Sequence, residues 1–96
     1  MPEQLWMVGA FFKLKKAMLG VNVGDVGYVF NQCGDFDVNG GCGIQVIFSN
    51  GNYDGFSVEE QELYLEFKGF NLNYVEYNFK NVLQVSRDYS NGYWSW

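Results

Sequence analysis

The chain contains no histidine, and its only thiols are those of Cys33 and Cys42. A serine or cysteine nucleophile would therefore lack its most common general base, and two thiols cannot complete a tetrahedral zinc site. The sequence has neither a Gly-x-Ser-x-Gly motif nor a phosphate-cradling glycine loop. These absences predict a protein that is not an enzyme, has no catalytic residues and binds no cofactor.

Basic residues are also scarce. The chain has 6 Lys and Arg against 11 Asp and Glu, so its net charge is −5. No Lys or Arg occurs between Lys16 and Lys68, an interval that carries Asp25, Asp35, Asp37, Asp54, Glu59, Glu60, Glu62 and Glu66. Such a field repels nucleic-acid phosphates and anionic lipid, and it attracts a basic partner. The alternative is an acidic surface that serves solubility alone.

Long apolar runs are missing as well. No run approaches the roughly 18 residues that a membrane-spanning helix needs, and residues 1–4 lack the basic region of a secretory signal. We therefore expect a cytoplasmic protein with no membrane partner. Cytosolic thiols are kept reduced, so we expect Cys33 and Cys42 to be free, with a disulfide between them as the alternative.

Aromatic residues and glycine, by contrast, are abundant. Aromatic side chains make up 20% of the chain, and there are 12 glycines against a single proline. Large aromatic side chains suit a pleated, half-buried surface, and glycine suits tight turns. A chain of 96 residues is too short to be divided into two independent cores. Composition therefore predicts one mainly β domain that spans residues 1–96.

Alternating apolar and polar residues predict five short strands, over residues 11–15, 27–32, 44–48, 53–56 and 63–67. In the first strand, Phe12 and Leu14 are expected to share one face of the sheet. A helix over residues 5–19 competes with this strand, but Gly9 would cost that helix about 1 kcal/mol relative to alanine. The pattern therefore favours the strand.

Two local motifs predict the connections that follow the third and fourth strands. Asn50-Gly51 predicts a type I′ hairpin turn, since both central residues of that turn need a positive φ. Ser57 and Glu60 have the spacing of a capping box, in which the serine hydroxyl accepts from the Glu60 amide and the carboxylate reaches back. We expect a single helical turn there, before the fifth strand.

Residues 8–67 carry these motifs in a particular order. The sequence Gly-Asp-Val-Gly-Tyr-Val at residues 24–29 leads from a long first loop into the second strand. A tight turn then joins strands three and four, and the capped turn precedes strand five. This order resembles the small SH3-like barrels of the KOW type. The resemblance implies an SH3-like five-stranded barrel core over residues 8–67 and an association with nucleic acid.

The nucleic-acid association implied by this resemblance would use a basic face lined by aromatic rings, made by Lys13, Lys15, Lys16, Phe11 and Tyr28. Binding of a polyanion draws its affinity from released counterions, which a chain of net charge −5 is poorly placed to gain. We therefore expect no nucleic-acid partner. A KOW-like nucleic-acid-associated protein is the alternative.

Residues 68–96 lie outside the resemblance. Alternation at Leu72, Tyr74 and Glu76 and an apolar run at residues 82–85 predict one or two further strands. We therefore expect a C-terminal β extension, with a helix over residues 74–85 as the alternative. The extension ends in an aromatic tail, whose rings either close the core or meet a partner.

The loop before the third strand has the start of a calcium-binding pattern. Asp35, Asp37 and Asn39 place side-chain oxygens at alternate positions ahead of Gly40. The bidentate glutamate that should close such a loop at position twelve is replaced by Val46. We therefore predict no metal site. A weak calcium site at the three oxygen-bearing residues is the alternative to a plain polar loop tip.

Protein recognition is the function that the remaining residues favour. Aromatic side chains concentrate interface energy, and neighbouring acids steer a basic partner. The predicted partner-binding residues are Tyr53, Asp54, Phe56, Glu59, Glu60, Glu62, Tyr93, Trp94 and Trp96. The sequence thus predicts a non-enzymatic protein–protein interaction module that binds a basic host protein or a nucleic-acid-binding protein.

Small acidic chains of this kind resemble the inhibitors and host-modifying factors of bacterial viruses. That resemblance implies an origin in a phage and a place of action in the host cytoplasm. A self-associating structural protein is the other alternative, in which the aromatic tail docks on a second copy across a two-fold axis to form a homodimer.

Overall fold

The computed structural model describes residues 6–33, 43–78 and 81–96. Its elements in chain order are β1 (Ala10–Leu14), β2 (Val26–Cys33), β3 (Gly43–Phe48), β4 (Tyr53–Ser57), α1 (Val58–Tyr64), β5 (Leu65–Phe70) and α2 (Val82–Ser90). The five strands form one antiparallel sheet in the order β4-β3-β2-β1-β5. The prediction of a mainly β protein is therefore confirmed, and the competing helix over residues 5–19 is wrong.

The sheet is open, and β4 and β5 are its two edges. The predicted closure into a five-stranded barrel is therefore wrong. The chain passes between the edges through α1, a helix of 7 residues that packs against both β4 and β5. A single helical turn was expected here, but the helix continues to Tyr64 and the fifth strand begins at Leu65. This longer connection joins the two edges without pairing them.

One face of the sheet carries the first hydrophobic core. Phe12 and Leu14 of β1 lie on this face and are buried, as their alternation predicts. They pack with Ala10, Val21, Val29, Ile44, Val46, Phe48, Phe56 and Leu65. Trp6, Met18 and Tyr64 pack against the margin of this cluster. Burial of each large apolar side chain contributes about 1.5–3 kcal/mol, so this cluster is a main source of the stability of the fold.

The opposite face of the sheet carries a second core, because successive residues of a strand point to opposite faces. Tyr28 and Phe30 lie on either side of Val29 in β2 and join Ile47 of β3 on this face. The C-terminal segment supplies the covering side chains, Tyr74, Val85 and Trp94. Residues after β5 therefore form a layer that covers this face of the sheet, and they do not extend the sheet.

The predicted C-terminal β extension is wrong, because the segment folds into turns and the helix α2. The alternative, a helix over residues 74–85, predicted a helix correctly, but the helix lies further along the chain, at Val82–Ser90. Asn81 caps α2, and its side-chain oxygen accepts from the Gln84 amide at 2.9 Å. Val85 and Tyr89 are four residues apart, so the helix turns both side chains toward the second core.

The hairpin between β3 and β4 is confirmed, but its predicted type I′ turn is wrong. The Gly51 amide donates to the Phe48 carbonyl at 2.9 Å, and the Phe48 amide donates to the Asn52 carbonyl at 2.8 Å. Only Gly51 has a positive φ in this loop, so a three-residue turn ends in one left-handed glycine. Asn50 instead donates its side-chain amide to the Gly20 carbonyl at 2.7 Å, which ties the turn to the β1–β2 loop.

Candidate functional site

A groove of about 380 Å³ lies between the β1–β2 loop, β4 and α1. Its lining residues combine apolar and acidic side chains: Ala17, Met18, Leu19, Asp54, Gly55, Phe56, Glu60 and Tyr64. Phe56 is buried in the first core, and the carboxylates of Asp54 and Glu60 are exposed above it. We call this feature the acidic groove.

Strand β4 places Asp54 and Phe56 on the same face, since they are two residues apart. Phe56, only 3% exposed, therefore anchors the floor of the groove while Asp54 stands at its rim. The Asp54 carboxylate also accepts a 2.8 Å hydrogen bond from the Gly55 amide through Oδ1. The backbone thus holds this side chain close to the strand.

The start of α1 places Glu60. The Glu60 amide donates to Ser57 Oγ at 3.2 Å, and the Ser57 amide donates to Glu60 Oε1 at 3.0 Å. The predicted capping box is therefore confirmed. Acidic residues in the first turn of a helix are favoured by its dipole, so the capping box and the dipole together hold the carboxylate in place.

Among the described residues, no cation forms an ion pair with the acids of the groove. The ion pair found in the described ranges joins Lys68 to Glu66 at 3.7 Å, and neither residue lines the groove. The Lys16 ammonium group lies 5.4 Å from the centre of the Tyr64 ring, over its face. A ring of the groove therefore already accommodates a cation, while the carboxylates beside it remain unpaired.

The structure brings only part of the predicted partner-binding set to the acidic groove. Asp54, Phe56 and Glu60 line it. Tyr53 is exposed on β4 next to Asp54, and Glu59 and Glu62 are exposed on α1 without lining the groove. The buried ring of Phe56 offers a floor and not a projecting contact.

The aromatic tail, Tyr93 to Trp96, lies on the opposite face of the sheet, where Trp94 is part of the second core. Trp94 is 4% exposed and packs among Tyr74, Tyr77 and Tyr93, so its ring is not available to a partner. Tyr93 and Trp96 are each 41% exposed. The tail and the acidic residues therefore form two separate surfaces, where the sequence predicted a single one.

Tyrosine hydroxyls fasten this tail to the sheet. The Tyr28 hydroxyl donates to the Ser95 carbonyl at 2.7 Å, and the Tyr74 hydroxyl donates to the Tyr93 carbonyl at 3.0 Å while accepting from the Ser95 amide at 2.7 Å. Burial raises the pKa of Tyr28 and of Tyr93 above the usual tyrosine value. The Tyr28 hydroxyl therefore stays protonated and able to donate to the Ser95 carbonyl at neutral pH.

Tyr77 forms a further contact under the tail. Its hydroxyl donates to Asp88 Oδ2 of α2 at 2.7 Å. Burial, and then the neighbouring carboxylate, raise the pKa of Tyr77 well above the usual tyrosine range. The hydroxyl of this residue acts as a structural donor that ties the segment before α2 to the helix.

The basic, aromatic-lined face implied by the KOW resemblance does not expose its main ring. Lys13 and Lys15 are exposed, but Tyr28 is buried and its ring packs against Phe11, Tyr74 and Trp96. A nucleobase would have to displace the tail to stack on Tyr28. The geometry gives the nucleic-acid interpretation no stacking platform at this position.

The calcium candidates Asp35, Asp37 and Asn39 lie outside the described residues, as does Cys42, so the disulfide and calcium alternatives stay predictions. Within the part of the chain that is described, no group of three or more Cys, Asp or Glu side chains is arranged to hold a metal ion. None of the helices in these ranges combines the length and apolar character needed to cross a bilayer.

Sequence reasoning missed a second surface, an exposed apolar patch along the edge strand β5. Its members are Met7, Phe67, Phe70, Leu72 and Val75, all exposed by more than a third. Part of the patch closes around a cavity of about 240 Å³ whose lining is apolar. Two phenylalanines three residues apart with Gly69 between them were the available signal, but the prediction placed Phe67 at the end of the fifth strand and Phe70 in the extension.

No protein-family model, no curated protein and no solved structure matches the chain.

Proposed function

We propose that the chain is a non-enzymatic protein-interaction module whose acidic groove receives a lysine or arginine side chain from a basic protein surface. One observation carries the proposal: Asp54 and Glu60, neither with a cation partner among the described residues, flank an apolar floor. Basic side chains combine an aliphatic stem with a charged head, so they match such a groove along their whole length.

The floor and the rim play different parts in this proposal. Met18 and Leu19 offer apolar surface to the methylene stem above the buried Phe56, and the carboxylates receive the charged head in charge-assisted hydrogen bonds. The ring of Tyr64 adds an aromatic face, on which the chain's own Lys16 already rests. An incoming cation would either share the Tyr64 ring with Lys16 or displace Lys16 from it.

The long-range charge of the chain supports the same partner. With a net charge of −5, the protein steers basic surfaces toward itself and disfavours polyanions. The complex should therefore weaken as salt rises, because screening acts on charges exposed at the rim. The buried ring of Tyr28 adds to the case against nucleic acid as the ligand.

The fold we propose is an opened relative of the SH3-like barrel. The strand order β4-β3-β2-β1-β5 and a helical segment between β4 and β5 support this assignment. Its small size and acidity fit the class of phage inhibitors and host-modifying factors, with a basic host protein in the cytoplasm as the partner. We propose this class by analogy of charge and size.

The proposal is tested by mapping where a basic side chain binds. The ¹⁵N-labelled chain is titrated with a short glycine peptide carrying one central arginine, and in parallel with the same peptide carrying citrulline, which has the shape but not the charge. We expect amide shifts at Met18, Asp54 and Glu60 with the arginine peptide only. The citrulline peptide should leave these amide signals unshifted.

Two substitutions sharpen the test. Glu60→Gln removes the charge but can keep the capping box, and Asp54→Asn keeps an oxygen acceptor for the Gly55 amide. Both should weaken the arginine titration, whereas Glu76→Gln, an exposed acid on the segment before α2, should not. Equal shifts with both peptides, or shifts confined to other surfaces, would contradict the proposal.

A further inference from the structure

Strand β5 is an edge of the sheet, paired with β1 on one side and with no other described strand on its outer side. The Lys15 amide donates to the Tyr64 carbonyl at 2.8 Å, so that carbonyl faces β1. Backbone groups of successive residues point to alternate sides of an antiparallel strand. The N–H and C=O of Phe67 therefore point outward, where an added strand would find them.

Apolar side chains continue this edge on one face. The Phe67 ring lies 5.4 Å from the Trp6 ring and 5.3 Å from the Phe70 ring, centre to centre. Phe67 and Phe70 are still 43% and 52% exposed after these contacts, and Leu72 beside them is more exposed still. A contiguous apolar patch of this kind marks an interaction surface.

Charge on the other face of the strand identifies the partner. Glu66 and Lys68 flank Phe67, and their charged atoms lie 3.7 Å apart in the same chain. If two copies of β5 pair antiparallel about a two-fold axis beside Phe67, Glu66 of one copy lies opposite Lys68 of the other, twice. The segment is thus complementary to itself in charge, and a partner with either sign alone would not match it.

We propose that the chain forms a two-fold homodimer by antiparallel pairing of β5 with β5 of a second copy. The two Phe67 rings then meet on one face, extended by Trp6 and Phe70, and two Glu66–Lys68 pairs form on the other. The dimer joins the two sheets into one and covers both apolar patches. This interface differs from the tail-mediated association expected from the sequence, because Trp94 of the tail is held in the second core.

A β-bulge sets the extent of this pairing. The register of β5 on β1 shifts so that Phe12 opposes Phe67 and Phe11 opposes Gly69, which leaves Lys68 as the extra residue. A bulge and an edge lysine discourage long, indefinite strand addition. Pairing is therefore short and centred on Phe67, and the isologous arrangement closes after two copies.

Sedimentation equilibrium over a range of concentrations tests the dimer. We expect a monomer–dimer equilibrium for the intact chain. Glu66→Lys or Lys68→Glu alone puts like charges opposite each other, and each should raise the dissociation constant by about tenfold or more. The double exchange Glu66→Lys with Lys68→Glu should restore dimerisation, as should a mixture of the two single variants.

Glu59→Lys on α1 serves as the control, because it makes the same charge change away from the edge, and circular dichroism checks that every variant is folded. An intact chain that stays monomeric at all concentrations overturns the proposal, including the case in which a strand of another protein uses this edge. A dimer that is indifferent to the single charge reversals overturns it equally. Neither result bears on the acidic groove.

Discussion

The hydroxyl of Tyr28 in β2 donates a 2.7 Å hydrogen bond to the carbonyl of Ser95, 67 residues further along the chain. Asn71 donates its side-chain amide to the same hydroxyl at 3.1 Å, so one phenol oxygen joins the sheet, the segment after β5 and the C-terminal tail. The tail is thereby part of the fold. Truncation of this tail should disturb the domain itself, whatever it does to a partner.

Tyr28→Phe tests this junction. The substitution keeps the buried ring but leaves the Ser95 carbonyl without its donor, so we expect a loss of about 1–2 kcal/mol in the free energy of unfolding. Urea unfolding followed by tryptophan fluorescence measures it. Tyr53→Phe, on the exposed side of β4, is the matched control and should change stability by less than about 0.5 kcal/mol. Equal losses of unfolding free energy in the two variants would show that the Tyr28 hydrogen bonds do not stabilise the fold.

Trp94 and Trp96 offer a contrast within the tail. Trp94 fills the second core, so Trp94→Ala should cost about 3–5 kcal/mol. Trp96 is partly exposed, and Trp96→Ala should cost clearly less. The buried Trp94 Nε1 has no hydrogen-bond partner among the described residues, so Trp94→Phe should be milder than Trp94→Ala. Thermal melts of the three variants would contradict this account if Trp96→Ala proved the most damaging.

Alkaline pH should destabilise the packing around the second core. The pKa values of Tyr28, Tyr77 and Tyr93 are raised in the folded protein, first by burial, so folding favours their protonated forms. Their contribution to stability is complete below the ordinary tyrosine pKa of 10.0 and is lost as pH rises above it through the raised values. We expect the midpoint of urea unfolding to fall above pH 10.

Tyr77→Phe isolates one of these groups. It removes the phenol that donates to Asp88, so the variant should start less stable at neutral pH and lose stability less steeply in alkali. Unfolding midpoints of the intact chain and the variant, measured from about pH 8 to about pH 12, give the two slopes. Parallel slopes would exclude Tyr77 as a source of the pH dependence.

Ser57 links the stability of α1 to the shape of the acidic groove. Ser57→Ala removes the acceptor for the Glu60 amide and should cost about 1 kcal/mol, whereas Ser57→Asp keeps an acceptor and should cost little. Because the capping box also holds the Glu60 carboxylate, Ser57→Ala should weaken arginine binding as well. Chemical denaturation and peptide titration of both variants check the two effects separately.

The strands were predictable because alternation is a local property. Phe12 and Leu14 alternate with charged or exposed neighbours, and the capping pattern at Ser57 lies within one turn of helix. Barrel closure was not predictable in this way, because it depends on whether two distant edges pair. In the observed strand order, β4 and β5 lie at opposite ends of the sheet and do not pair.

The candidate site was predictable in part for the same reason. Charge along the chain identified Asp54 and Glu60, since carboxylates at the start of an edge strand and of a helix are rarely buried. Burial of an aromatic ring depends on what packs over it, and so Trp94 was expected at a surface although the segment folds it inward. The patch around Phe70 was missed because exposure at an edge becomes visible only when the strand order is known.

The central claim, that a particular groove and not acidity in general binds the basic partner, is tested most directly with two double variants of equal net charge. Asp54→Asn with Glu60→Gln neutralises the groove, and Glu59→Gln with Glu62→Gln neutralises the exposed surface of α1 beside it. Calorimetric titration with the arginine peptide at low salt compares the two. We expect the first variant to lose binding and the second to keep it, whereas an equal loss in both would show that only overall charge matters and would contradict the account.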